Sequence, residues 1–400
     1  MSVAELGLST ALRERATPVL GLAGERLIPR GHSARILDGL LGMLLIYRIA
    51  VPGIPLPIPQ LAAAALIAVA LFRRPTRSFA EAWWYSVTMP LLLGFLVAET
   101  YFNGLDPLRR AGGFAILIVF AGLLASGRID VGSVVKGLGA ALVLNTIAFY
   151  AGLAPDSYGG VLTGFLQDKN AAALIYAVGT ILLSMATTRV WLRVLLLLFG
   201  AANVVLTDSR TTMAAFGVAV VYLLVSTWLQ RGFQLLALLG GVLVFLWADD
   251  NLTKIGQYAL ERQGSDALRT RIDFASSHKA AGAPWYGLGL GESTVDLEGN
   301  TWFFHNSYEA LLVEGGIVLL VVTVAVYAVV GLGLSGQGFV DVARWDARVV
   351  TAATLVVFLC ALRLGEVFYA PIGFVVLGVG LARLLPPVGD GPYWWEVRRG

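Results

Sequence analysis

The sequence predicts an all-α, polytopic integral membrane protein of about twelve transmembrane helices with one large extracytoplasmic loop. Three observations predict it. Hydrophobic residues make up 57% of the 400-residue chain and charged residues only 14%, and the mean hydropathy is +0.76. A water-soluble core cannot absorb so much apolar sequence, because too little polar surface would remain to face solvent. The apolar residues fall in runs near the roughly 20 residues that cross a bilayer, and the loops between them are alternately rich and poor in arginine.

Taken in order, a cytoplasmic tail is expected over 1–35, nine spans over 36–248, the large loop over 249–304, three more spans over 305–385 and a second cytoplasmic tail over 386–400. The spans read as 36–52, 56–72, 81–99, 112–126, 131–152, 170–187, 190–207, 211–229, 232–248, 305–333, 348–364 and 366–385. Pro52, Pro55, Pro57 and Pro59 interrupt the first pair. Residues 1–35 hold no early apolar run, so no cleavable signal peptide is expected.

Orientation follows from the arginines. With the N-terminus inside, the inner segments carry Arg13, Arg15, Arg26, Arg30 and Arg35, then Arg73, Arg74 and Arg77. Arg128 with Lys136, Arg189 with Arg193, Arg231, Arg344 with Arg348, and Arg383 with Arg398 and Arg399 follow. An even number of spans returns the C-terminus to the cytoplasm. The loop 249–304 then lies outside, and its mixture of charges, glycine and tryptophan reads as a folded cap. The single cysteine, Cys360, lies in an apolar run, so no disulfide forms within the chain.

Five polar clusters fall on the outer face: Asp106-Pro107-Leu108-Arg109-Arg110, Gln167-Asp168-Lys169-Asn170, Thr207-Asp208-Ser209-Arg210-Thr211-Thr212, His305-Asn306-Ser307, and Arg363 with Glu366. All but Arg363 lie at or near a helix N-terminus. Such an end presents unpaired N–H groups and the positive pole of the helix dipole. Several of them, supplemented by Arg and Lys, suit a multivalent anion such as a diphosphate. Asp208, Ser209, Asn306 and Ser307 are equally ordinary helix caps. Capping leaves Arg109, Arg110, Lys169 and Arg210 unexplained, since they break the positive-inside trend and need an anionic partner.

His305 is one of three histidines, with His32 and His278, and has Glu309 one turn on and Glu314 deeper in the same span. A histidine can take a proton near neutral pH and so suits activation of a sugar hydroxyl. Glu314 reads as an intramembrane partner for a cation or as a helix contact. Arg363 and Glu366, three apart, are placed to pair with each other.

The loop holds Arg269, Arg271 and the run Pro284-Trp285-Tyr286-Gly287-Leu288-Gly289-Leu290-Gly291-Glu292. The glycines have neither the strand–helix setting of a dinucleotide fingerprint nor the Lys-Ser/Thr of a Walker loop. They read as a tight turn near the membrane where backbone can approach a ligand. Trp285, Tyr286, Trp302, Phe303 and Phe304 suit an interfacial aromatic belt as well as they suit sugar stacking. Asp249-Asp250 is a lone acidic pair, and neither a metal nor a nucleotide site is expected.

The order of these blocks resembles the O-antigen ligase and polymerase family of membrane glycosyltransferases. Asp208 to Thr212 opening a span, Arg271 followed by Pro284 to Gly291, and His305-Asn306 followed by Glu314-Gly315-Gly316 carry the resemblance, together with Gln167-Asp168-Lys169-Asn170 before Ala171 to Leu174. It covers roughly residues 160–330. It implies a bacterial inner-membrane enzyme of the largely helical, type C kind, without a Rossmann domain. A glycan would pass from polyprenyl (undecaprenyl) diphosphate to a hydroxyl on a glycan, lipid-core or protein acceptor, with no cofactor, metal or nucleic acid. By position, Arg210 and Arg271 would hold the diphosphate, with Arg269 as the alternative to Arg271 and Lys169 assisting. His305 would deprotonate the acceptor and Asn306 support it, with Asp168, Asn170, Ser209, Glu314, Arg109, Arg363 and Glu366 in the surroundings. The rival expectation is a polyprenyl-lipid flippase, which would place its site near the midplane on broken helices.

Overall fold

The computed structural model describes residues 27–28, 34–49, 53, 56–226, 228, 239–247, 263–334 and 344–388. Most of both tails, Asp249-Asp250 and residues 251–262 of the expected outer loop lie outside these, as does the first part of the expected span 232–248. Helix dominates the rest. In chain order it forms α1 (Ile36–Leu44), α2 (Ile58–Leu71), a 3-10 turn (Phe79–Ala82) running into α3 (Trp83–Phe102), α4 (Leu108–Ala125) and α5 (Val131–Tyr150). Then follow α6 (Lys169–Leu183), α7 (Val190–Leu206), α8 (Arg210–Val225), α9 (Gln263–Gly282), α10 (Ser307–Gly331), α11 (Trp345–Ala361) and α12 (Pro371–Leu384). Residues 239–247 are also helical.

Among the described residues, five helical segments are long and apolar enough to cross a membrane: Phe79–Phe102, Leu108–Ala125, Val131–Tyr150, Lys169–Ala186 and Ser307–Gly331. Helices α2, α7, α8 and α12 are apolar but shorter. This is a helical membrane protein. The interior is continuous, built on side chains such as Phe120, Tyr176, Phe368 and Phe374, all under 2% exposed.

Three elements differ from the sequence expectation. Helix α1 stops at Leu44 instead of continuing to residue 52. Its nine residues span about 13 Å, less than half of a bilayer core. The segment 162–167 reaches in to meet it: the Arg48 amide donates to the Phe165 carbonyl (3.0 Å), and the Tyr47 and Phe165 rings meet edge-on at 5.7 Å. Asn145 holds that segment from α5, accepting from the Phe165 amide (2.9 Å) and donating to the Thr163 carbonyl (3.2 Å).

The second is the stretch read as a folded cap, where α9 is joined by a short β-hairpin, β1 (Thr294–Leu297) with β2 (Asn300–Phe303). The strands are antiparallel, with Thr294 opposite Phe303 and Leu297 opposite Asn300. The turn residues Glu298 and Gly299 both have positive φ, +55° and +79°, as a two-residue type I′ turn requires.

The third lies in α10. The helix breaks at Gly315 (φ −151°, ψ 23°) and Gly316 (φ 63°, ψ −160°). In an unbroken helix the Ile317 amide would donate to the Val313 carbonyl. Here the Pro284–Gly291 run takes both partners: Ile317 N–H donates to the Trp285 carbonyl (2.8 Å), and Val313 C=O accepts from the Leu288 amide (2.7 Å). The glycines therefore let backbone approach backbone. A Cβ on Gly287 would lie 2.7 Å from Gly315 Cα.

Several of the arginines read as inner make contacts at one end of the bundle. Arg73 pairs with buried Asp38 (2.7 Å), and Arg35 donates to the Arg128 carbonyl (2.8 Å). Arg193 and Arg348 both lie over Trp345, at 4.4 Å and 5.1 Å. The other end holds the polar clusters.

Candidate functional site

Two helix N-termini meet first. Asp168 caps α6, its carboxylate accepting from the Asn170 (3.1 Å) and Ala171 (2.8 Å) amides and from the Tyr158 hydroxyl (3.2 Å). Desolvation, and then the Asp168 charge, push the Tyr158 phenol above its ordinary range. Ser209, the N-cap residue of α8, donates to the Asn170 side chain (3.1 Å) and shares a hydrogen bond with Thr212 (3.1 Å). Lys169 lies 3.7 Å from Asp208. Asp168 thus serves as a cap, and Asn170 with Ser209 as a cross-link between α6 and α8, which aligns the two N-termini. Arg210, the first residue of α8, is half-buried, and among the described residues no acid pairs with it.

The end of α11 adjoins this pair, because the Cys360 thiol contacts Thr212 Oγ1 at 3.7 Å. Just beyond it, the Arg363 carbonyl accepts from Arg269 (2.8 Å). Ser307 sutures the same turn to α10: its hydroxyl donates to the Leu364 carbonyl (2.5 Å) and accepts from the Val367 amide (3.1 Å). Asn306 caps α10, accepting from the Tyr308 amide (3.0 Å).

Asp273 on α9, a residue the sequence reading passed over, meets the His305 ring: Nδ1 lies 2.9 Å from Oδ1. One turn on, Ser277 donates to Glu309 (2.9 Å). Arg269, Asp273 and Ser277 are spaced by four along α9, which gives a helical face. No local pattern, however, names a partner 32 residues away.

Arg271 is on the other flank of α9, about 200° from Asp273 at 100° per residue. It pairs with Glu298 in the hairpin turn (2.8 Å), both side chains being at least half exposed. Lys279, two turns further along, donates to Glu292 and to the Thr294 carbonyl, each at 3.0 Å. The hairpin therefore lies along α9, gripped near its tip and at its base.

Glu314 is buried at 3% exposure beside the break in α10. Both its oxygens meet Arg110 (2.7 and 3.3 Å), and one also accepts from Ser293 (2.5 Å). Arg110 reaches Glu366 as well (2.8 Å). Arg109 points outward, exposed. Periodicity separates the two arginines: Arg110 is one turn ahead of the buried stripe Phe114, Leu117 and Ala121, and its guanidinium lies over Phe114 (5.7 Å).

This end of the bundle therefore presents an imidazole backed by a carboxylate, with cations on the helices around it. Among the described residues no group of three or more His, Cys, Asp or Glu could hold a metal ion.

No curated protein matches the sequence. A family model described as O-antigen ligase matches residues 194–324, from within α7 to within α10. The matched stretch contains Arg210, Arg269, Arg271, Asp273, His305, Asn306 and Glu314; Lys169, Arg109, Arg110, Arg363 and Glu366 lie outside it. Over residues 194–324, about a third of its length, this chain is similar to the O-antigen ligase family.

Proposed function

We propose that the protein transfers a glycan from polyprenyl diphosphate to an acceptor hydroxyl at the extracytoplasmic face of the bacterial inner membrane, as an O-antigen ligase or polymerase. The observation that carries this reading is the company kept within the matched domain: the His305 ring lies against Asp273 at the same end of the bundle as Arg210 and Arg269. The acceptor oxygen attacks the anomeric carbon as His305 takes its proton, and the anomeric carbon–diphosphate bond breaks. The electron pair leaves with the polyprenyl diphosphate. Charge develops on that leaving group, where prepositioned arginines and helix N-termini stabilise it. Arg210 at the start of α8 and Arg269 beside the α11–α12 turn are the arginines on the His305 side; Lys169 adds charge at α6. Arg271 reaches the diphosphate only by leaving Glu298. No nucleotide or metal enters this scheme, because the lipid diphosphate is itself the activated donor. Orientation follows from the arginines of the opposite end, which the positive-inside rule assigns to the cytoplasm.

The broken helix α10, like the Pro90 inside α3, is a feature that would favour a flippase. Its freed amide and carbonyl are, however, taken by Trp285 and Leu288, which supports a structural role for the break. The test is to supply purified protein with polyprenyl-diphosphate glycan and candidate acceptors, without nucleotide or added metal. Glycosyl transfer with release of the lipid diphosphate is expected, and its loss in His305→Ala. Lipid movement without transfer would favour the flippase.

A further inference from the structure

We propose that Asp273 positions His305, fixing the tautomer that a general base needs and stabilising the imidazolium formed when the acceptor proton arrives. The inference rests on the reading of His305 as the base.

The two side chains belong to elements held independently of their contact. On α9, Ile272, Ser276 and Ala280 are buried, and Arg269 is tied to the turn after α11. The N-terminus of α10 is fixed by the Ser307 suture and by the Tyr308 hydroxyl, which donates to the Phe358 carbonyl (2.9 Å). Asp273 to His305 and Ser277 to Glu309 then form two successive rungs, each joining residues 32 apart. Equal separation on consecutive turns means that α9 and the first turn of α10 run in the same direction in fixed register. His305 lies in the short link between β2 and α10, so its ring orientation depends on what its nitrogens meet.

A carboxylate accepts hydrogen bonds and donates none. With Oδ1 against Nδ1, the neutral imidazole carries its proton on Nδ1 and keeps the Nε2 lone pair for the acceptor hydroxyl. When Nε2 takes that proton, the ring becomes a cation 2.9 Å from the Asp273 oxygen. Asp273 keeps no proton at any stage; it orients the ring and balances its charge. A bystander explanation exists, because half-exposed ion pairs are commonly worth little to stability. The experiment must therefore read chemistry as well as folding.

Glycosyl transfer by the purified full-length protein is measured for Asp273→Asn, Asp273→Glu and His305→Ala, with melting temperatures in parallel. The Asn amide donates to Nδ1 and moves the ring proton to Nε2. Asp273→Asn should therefore lower kcat about 100-fold or more, with KM for the donor and melting temperature close to those of the unaltered protein. Asp273→Glu should recover part of the rate, since the carboxylate is kept. If Asp273→Asn works at full kcat while His305→Ala is inactive, the positioning role is overturned and the base reading stands. If both work at full kcat, the base reading falls and this inference with it. If Asp273→Asn loses activity only in step with its melting temperature, and Asp273→Glu restores neither, Asp273 is structural and the inference is overturned.

Discussion

The Ile317 amide donates to the Trp285 carbonyl at 2.8 Å, a bond between the broken helix α10 and a loop that precedes it by some thirty residues. It exists because Gly316 takes a backbone conformation (φ 63°, ψ −160°) that a side chain disfavours. A Cβ there would sit 1.8 Å from the Trp285 oxygen. Gly316→Ala should destabilise the protein by at least about 2–3 kcal/mol and lower the melting temperature in detergent. Gly94→Ala, in α3 with nothing within 4 Å of the added methyl, is the control and should be neutral or slightly stabilising. Equal melting temperatures for the two variants would contradict the observed break.

Arg110 and Glu314 form a second constraint at the same place. Removing one member of a buried pair strands the other, which commonly costs about 3–5 kcal/mol. Because Arg110 is 28% exposed and also holds Glu366, Glu314→Ala should fall at or below the lower end of that range. Glu366 is 46% exposed, so Glu366→Ala should cost only about 0–1 kcal/mol. Thermal unfolding of both variants measures the difference, and the reverse order would count against the network.

Arg210→Ala should lower transfer by about two to three decades, the usual cost of losing one preorganised contact to developing charge. Folding should be unchanged, since no acid among the described residues depends on this arginine. Lys169→Ala should cost less, because Asp208 already partly occupies the ammonium at 3.7 Å. Single-turnover rates separate these effects from binding.

Arg271 and Glu298 can be told apart by comparing their single variants. A hairpin clamp requires both residues equally, so Arg271→Ala and Glu298→Ala should then lower activity alike and by less than tenfold. If Arg271 leaves Glu298 to hold the diphosphate, Arg271→Ala alone should be severe, and Glu298→Ala should leave transfer intact or faster. Donor titrations on the two variants decide between these outcomes.

Much of the helical framework was legible because a span announces itself locally. The runs read as 112–126 and 170–187 became Leu108–Ala125 and Lys169–Ala186, the ends differing by four residues at most. The end of α1 was not legible, because apolar residues continue past Leu44 while the backbone turns to meet Phe165, more than a hundred residues later. Gly315-Gly316 and the Gly287–Gly291 run were each visible, but their mutual hydrogen bonds join two segments that periodicity treats separately. At the candidate site, His305 and Arg210 stand out by residue type and position. Asp273 does not, since an aspartate on a polar helix gives no local sign of the imidazole it faces. Arg110 could have been preferred to Arg109 by extending the buried stripe of α4 one turn back.

The grip on α9 from two sides has one more consequence. The chain leaves the helix, runs back along one flank as the hairpin, turns at Glu298-Gly299, and reaches His305 on the other flank, where Asp273 and Ser277 take hold. Helix α9 is thus enclosed in a sling whose two arms are anchored separately. Residues inserted or removed at the tip change the length of the free bend without passing that change on to the imidazole. The bend is the part of this domain free to vary in size and shape while the reacting groups keep their register.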